Sequence, residues 1–167
     1  MGEELRVGIG VDAHALEEGV PLVLGGVEIP EEPRGLAGHS DGDVIAHALI
    51  DAVLGAAGLG DIGSLFPSGE AEWKGVSSLL LLGQAYARVR EAGYELVNAD
   101  CVFVGERPRL APLREEMRRR LASAMGVEPG SVTVRATTTD GLGFTGRGEG
   151  LAAHAIALLR QVRGPGA

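Results

Sequence analysis

Leu-Arg-Val-Gly-Ile-Gly-Val-Asp-Ala-His runs from residue 5 to residue 14. Through Val11 the stretch alternates and is rich in β-branched residues, which predicts a strand. The strand delivers Asp12 and His14 at its end. Side chains at i and i+2 leave a strand on the same side, so both can reach one ion.

Downstream, residues 21–29 form two short apolar runs around Gly25-Gly26, the pattern of a hairpin. Residues 35–43, Gly-Leu-Ala-Gly-His-Ser-Asp-Gly-Asp, form a glycine-rich loop that opens into an amphipathic helix over 44–57. Asp41 or Asp43 is its expected N-cap. Irregular chain is expected over 58–75, a helix over 77–92, a strand over 95–105 and a helix over 110–125 with a basic face at Arg118, Arg119 and Arg120. A strand over 132–138, a glycine-rich turn over 139–148 and a last helix over 150–162 complete the order. This succession suggests a layered α+β or α/β structure. The chain has 167 residues and no repeat or linker, so 1–167 is expected to be a single domain.

Composition narrows the function. With 45% hydrophobic and 23% charged residues the chain is globular, and with 4% aromatic residues its core must be aliphatic. A net charge of −8 argues against nucleic-acid or anionic-membrane partners, which ask for clustered Lys and Arg. The lone Cys101 cannot form an internal disulfide. Met1 to Glu4 lacks the basic-then-apolar pattern of a signal peptide, and Leu79 to Leu82 is too short to span a bilayer. A cytoplasmic protein is expected.

His47 lies one turn into the helix that follows the glycine loop. With Asp12 and His14 it makes one carboxylate and two imidazoles, a set that suits zinc and leaves a coordination position open. The same set matches the facial triad of non-haem iron, so spacing leaves the metal open. The plainer alternative is a turn at Asp-x-His and a partly buried helix histidine. Three of the four histidines, however, fall in the first third of the chain beside glycines and carboxylates. Asp43 and Asp51, at i−4 and i+4 from His47, are candidates to hold its other ring nitrogen, or simply members of a surface charge row.

Two segments have the chemistry of phosphate sites. Residues 38–43 lead into a helix N-terminus, where free N–H groups favour an anion and His39 and Ser40 add donors. Residues 136–147, Ala-Thr-Thr-Thr-Asp-Gly-Leu-Gly-Phe-Thr-Gly-Arg, cluster hydroxyls and glycines with Asp140, which could hold a hard cation, and Arg147. An ordinary turn does not require that combination.

Taken in order, Gly-Val-Asp12-Ala-His14, Leu24-Gly-Gly, Gly-His39-Ser-Asp-Gly-Asp-Val-x-x-His47-Ala, Leu-Gly-Asp61-Ile-Gly-x-x-Phe66-Pro and Ala-Thr-Thr-Thr139-x-x-Leu-Gly-Phe144-Thr-Gly-Arg147 resemble the 2-C-methyl-D-erythritol 2,4-cyclodiphosphate synthase family. The resemblance implies an α+β fold with a roughly four-stranded mixed sheet, helices packed on one face, and sheets facing a threefold axis in a homotrimer whose active sites are shared between neighbours. It implies the conversion of 4-diphosphocytidyl-2-C-methyl-D-erythritol 2-phosphate to the cyclic diphosphate and CMP.

By the same resemblance, Asp12, His14 and His47 would bind Zn2+ or another divalent transition metal. A second cation, Mg2+ or Mn2+, would sit by the nucleotide diphosphate at Asp140. His39 and Thr138 would lie by the transferring phosphoryl group, with Ser40 on phosphate oxygens. Asp61, Ile62, Gly63, Phe66, Pro67, Ser68, Gly69 and Glu70 would hold the methylerythritol part. Gly105, Glu106, Arg107, Pro108, Arg109, Leu110 and Ala111 would cradle the cytosine, with Thr137, Thr138, Thr139, Asp140, Phe144 and Arg147 around the nucleotide diphosphate. Asp140 stands where many relatives carry glutamate, and Arg109 where a lysine is frequent. No fused cytidylyltransferase domain is expected.

Two competitors remain at this stage. One is a zinc phosphohydrolase with Asp51 or Asp61 as general base. The other is a non-catalytic trimeric nucleotide sensor, with His154, assigned to the last helix, in a packing role.

Overall fold

The computed structural model describes residues 4–162; Met1 to Glu3 of the segment read for targeting lie outside them. The chain folds as β1 (Leu5–Glu18), β2 (Val23–Leu24), β3 (Val27–Glu28), β4 (Arg34–Leu36), α1 (Val44–Ala57), α2 (Ile62–Leu65), α3 (Ser78–Glu91), β5 (Tyr94–Val104), α4 (Arg114–Met125), β6 (Val132–Thr137), α5 (Gly143–Gly146) and β7 (Gly150–Gln161). A five-stranded sheet runs β4-β1-β7-β5-β6, and β2 and β3 form a separate hairpin. Gly25 and Gly26 turn that hairpin with φ of 56° and 76°, a left-handed pair that side chains resist. Among the described residues only β5 and β6 pair in parallel, so the sheet is mixed and the fold is α+β.

Two expectations need correction. Residues 150–162 were expected as a helix, and instead form β7, the middle strand. Leu, Ala and Ile favour a helix there, but the burial has period two: Leu151, Ala153, Ala155, Ala157 and Leu159 are buried, while His154 and Ile156 are exposed. Pairing on both edges decides the outcome, because β7 bonds β1 from Gly150 to Arg160 and β5 along nearly the same length. The sheet therefore has five strands rather than about four, and His154 stands exposed on a strand rather than packed in a helix. The second correction is to β1, which continues to Glu18, so Asp12 and His14 lie within the strand and not at its end.

The helices cover one face. There α1 lies across β1, β7 and β5, with eleven of its fourteen residues buried, which is why it is apolar nearly all round. Small residues let it come close. A Cβ at Gly10 would stand 1.8 Å from the Ala48 carbonyl oxygen, and one at Gly8 2.1 Å from that of Ala52. The opposite face, with Leu5, Val7, Ile9 and Val11 of β1 and Ile156 of β7, is exposed; Val7 keeps 70% of its surface.

Candidate metal centre

In β1 the even-numbered residues face α1, and this alternation aims Asp12 and His14 at the helix. Asp43 starts α1: its carboxylate accepts from the N–H of Ile45 and Ala46, so His47 falls in the first turns above the strand. The three side chains meet. Asp12 Oδ2 lies 2.8 Å from His14 Nε2 and 3.0 Å from His47 Nδ1, and the two imidazole nitrogens are 3.3 Å apart. Bonds of about 2.0–2.1 Å at tetrahedral angles put neighbouring donors about 3.3 Å apart, so the triangle fits a transition-metal ion. His47 is buried, whereas Asp12 and His14 keep a quarter and a fifth of their side chains open.

Electrostatics agree. Burial would raise the Asp12 carboxyl, but hydrogen bonds and attraction from His14 and His47 outweigh it and hold the group at about 2. It is a carboxylate at any physiological pH. The bond to Asp12 raises the His14 imidazole, against desolvation. These three groups therefore concentrate donors where a cation would be welcome.

The expected partners of His47 are elsewhere. Asp43 is fully buried and accepts from the N–H of Gly25, Gly26, Ile45 and Ala46, which ties the hairpin to the helix start. Desolvation, with repulsion from Asp41, pushes its carboxyl up to about 6, against the bonds from Ala46, Gly26 and Gly25. Asp51 accepts from Ile62 N at 2.7 Å. The free ring nitrogen of His47 instead meets Ser40 Oγ at 3.0 Å and Ser78 Oγ at 2.8 Å. No spacing rule joins residues 47 and 78, so sequence reasoning passed over Ser78.

A cavity of about 420 Å³ opens over the three donors, lined by Asp12, His14, His39, Ser40, His47, Ile62, Gly63, Phe66, Pro67, Ser68, Gly69, Trp73 and Leu81. Most of the expected methylerythritol contacts are thus beside Asp12, His14 and His47. Two are not in the lining. Asp61 caps α2 through Ser64, and Glu70 turns its carbonyl to His39 Nε2 at 3.0 Å. Trp73 and Leu81 were not anticipated; Trp73 packs edge-on against Phe66, ring centroids 5.1 Å apart.

The residues expected around the nucleotide lie mostly elsewhere in the same chain, although Phe144 lines a pocket with Ala13, His14 and Ala15. Asp12 pairs with Ala153, Ala153 with Phe103, and Phe103 with Ala136. Thr137 to Asp140 therefore leave the same end of the sheet three strands away, about 14 Å by ordinary strand spacing. Glu106 accepts from Gly141 N at 3.2 Å, which brings the loop after β5 and the loop after β6 together. Pro108 and Leu110 are buried, and Arg107 and Arg109 are exposed. Thr138 Oγ bonds the Asp140 carboxylate at 3.2 Å, with Asp140 at φ 51°. Thr139 Oγ donates to the Leu142 carbonyl at 2.6 Å. Phe144 is partly exposed, and Arg147 is paired with Glu149 at 2.8 Å.

The sequence profile of the YgbB family matches residues 5–160. A 2-C-methyl-D-erythritol 2,4-cyclodiphosphate synthase from Moorella thermoacetica is 56% identical over 155 residues, 93% of this chain and 94% of that protein. A bifunctional enzyme IspD/IspF from Anaeromyxobacter sp. is 57% identical over 95% of this chain, which spans 41% of it. Among solved structures, the bifunctional IspDF of Campylobacter jejuni superposes with a TM-score of 0.91 at 44% identity, over 96% of this chain and 43% of that one. The IspF of Plasmodium falciparum in complex with CDP gives 0.83 at 28% identity, over 98% and 100%. The chain belongs to the YgbB family, and the relatives that it matches over nearly their full length are 2-C-methyl-D-erythritol 2,4-cyclodiphosphate synthases.

Proposed function

We propose that the chain converts 4-diphosphocytidyl-2-C-methyl-D-erythritol 2-phosphate to 2-C-methyl-D-erythritol 2,4-cyclodiphosphate and CMP, a step in making isoprenoid precursors. The observation that carries this reading is the Asp12–His14–His47 triangle in a cleft lined by Ile62, Gly63 and Phe66 to Gly69. The 2-phosphate oxygen attacks the β-phosphorus, the bond to the bridging oxygen breaks, and CMP leaves. Such a transfer asks mainly for positioning and for control of negative charge.

The chain's own residues supply the positioning. Ile62, Gly63, Phe66, Pro67, Ser68 and Gly69 form the wall against which the methylerythritol part is held, which brings its 2-phosphate towards the β-phosphorus. His39 and Ser40, on the glycine loop, offer donors to phosphate oxygens. Asp12, His14 and His47 would hold zinc, and Asp140 with its neighbouring hydroxyls a second cation, Mg2+ or Mn2+. When bound, such cations neutralise diphosphate charge, a contribution of several kcal/mol, which a chain of net charge −8 needs.

Thr138 and Asp140, which follow β6, are about 14 Å from β1 within one chain by strand spacing, so we take a second copy to bring its own to the cleft. We therefore take the active unit to be a homotrimer with sheets facing the threefold axis. The exposed apolar stripe of β1, Leu5, Val7, Ile9 and Val11, supports this arrangement. The protein is taken as cytoplasmic, in keeping with a single buried cysteine and, among the described residues, no helix long and apolar enough to cross a membrane.

Hydrolysis is the less favoured chemistry, because Asp51 is engaged by Ile62 and Asp61 by Ser64. The test is incubation of the purified protein with the diphosphocytidyl substrate in oxygen-18 water. Equal release of CMP and cyclic diphosphate without label is expected, and His47→Ala should stop it. Solvent oxygen in the product, or full turnover by the variant, would overturn the proposal.

A further inference from the structure

We propose that Asp41 and Ser78 form a positioning relay that presents His47 to the metal in a single tautomer. An ionised carboxylate only accepts hydrogen bonds, and a serine hydroxyl has one hydrogen to give. Asp41 takes both donors of Ser78: its Oδ2 accepts from Ser78 N at 2.9 Å, and its Oδ1 accepts the Ser78 hydroxyl at close range. The hydrogen of Ser78 Oγ is thereby committed. What Ser78 turns towards His47 Nε2, 2.8 Å away, is a lone pair, so Nε2 must carry the hydrogen. In the metal-bound protein His47 Nδ1 would then give up any hydrogen shared with Asp12 and offer its lone pair to the space between Asp12 Oδ2 and His14 Nε2.

Burial makes the arrangement decisive. Ser78 is fully buried and His47 nearly so, which leaves water little chance to replace either partner. The loop bearing Asp41 is also fixed to the start of α3, because Gly75 N donates to the His39 carbonyl at 2.8 Å. Ser40 Oγ, at 3.0 Å from the same ring nitrogen, has no carboxylate among the described residues to commit its hydrogen and so does not by itself select a tautomer. A ligating imidazole held on its far side by an acceptor is oriented and made more basic, and losing such a partner typically weakens metal binding about 10–100-fold.

The inference rests on the proposed metal centre in taking His47 Nδ1 as a ligand, and one experiment separates the two. Zinc affinity is measured by competition with a chromophoric chelator for the wild type, Ser78→Ala, Asp41→Asn and Ser40→Ala. Exchange of the His47 Nε2 hydrogen with solvent is followed by NMR on the zinc-loaded proteins. Asp41→Asn keeps the shape of the side chain and an acceptor for Ser78 N, which guards against a variant that fails to fold. Ser78→Ala and Asp41→Asn are expected to bind zinc about 10–100-fold more weakly and to exchange that hydrogen faster, with Ser40→Ala closer to the wild type. No zinc binding by the wild type would sink the metal centre itself. Wild-type binding with unchanged affinity and exchange in both Ser78→Ala and Asp41→Asn, or a loss confined to Ser40→Ala, would sink the relay alone.

Discussion

Replacing Gly10 by alanine tests how the metal centre is assembled. The added Cβ would lie 1.8 Å from the Ala48 carbonyl oxygen and 2.9 Å from Ala52 N, both backbone atoms of α1. Real contacts of that kind begin at 3.0 Å, so helix and strand must part by at least 1.2 Å. His47 precedes Ala48 and moves with it, whereas Asp12 stays with β1. A zinc–nitrogen bond of about 2.0–2.1 Å does not stretch that far. Overpacking of this type costs about 1–3 kcal/mol, which lowers Tm by roughly 2–12 °C in a chain of this size. Calorimetry of the metal-free variant and chelator competition for zinc should therefore report losses together. Gly130→Ala is the control, since nothing lies within 4 Å of its added Cβ, and it should be silent in both assays. A Gly10→Ala protein that melts and binds zinc like the wild type would refute the claim that close helix–strand contact sets the ligand geometry.

Burial raises the Asp43 carboxyl from 3.8 to about 6, so the folded state holds a proton that the unfolded chain has lost. Its contribution is complete below pH 4 and is lost as pH rises through about 6; urea midpoints of the metal-free protein should fall across that window, and Asp43→Asn should flatten the slope while lowering stability overall. Cys101, buried and pushed up to about 12, should be unreactive to Ellman's reagent until denaturant is added, and a stoichiometric reaction in the native protein would contradict its burial. Ile9→Asp places a charge on the exposed apolar stripe and should shift sedimentation from trimer to monomer with loss of turnover; an unaltered sedimentation profile would count against the sheet face as the subunit contact.

Much of the fold was legible because its signals are local. Alternation in residues 5–11 and the cap at Asp43 located β1 and α1, and with them Asp12, His14 and His47. β7 was misread because Leu-Ala-Ala-His-Ala-Ile-Ala-Leu-Leu is composed of helix formers, and its period of two shows only once small residues are seen to be demanded by the crossing of α1. The alanines at 153, 155 and 157 are there for the reason that Gly8 and Gly10 are. The Asp41–Ser78 contact joins positions 37 residues apart, and no spacing reveals it. The partner of Arg147, Glu149, stands two positions on and was open to local reading.

The middle strand of the sheet is the last of its five to leave the ribosome. Until Gly150 to Gln161 has emerged, β1 and β5 have no common neighbour, and Leu5 waits for Arg160. Contacts of such long range slow folding and leave apolar strand edges open to other chains. Asp12 and His14 are therefore held in their final geometry only after residues 150–161 have been made, so removal of β7 should leave an insoluble product rather than a weaker enzyme.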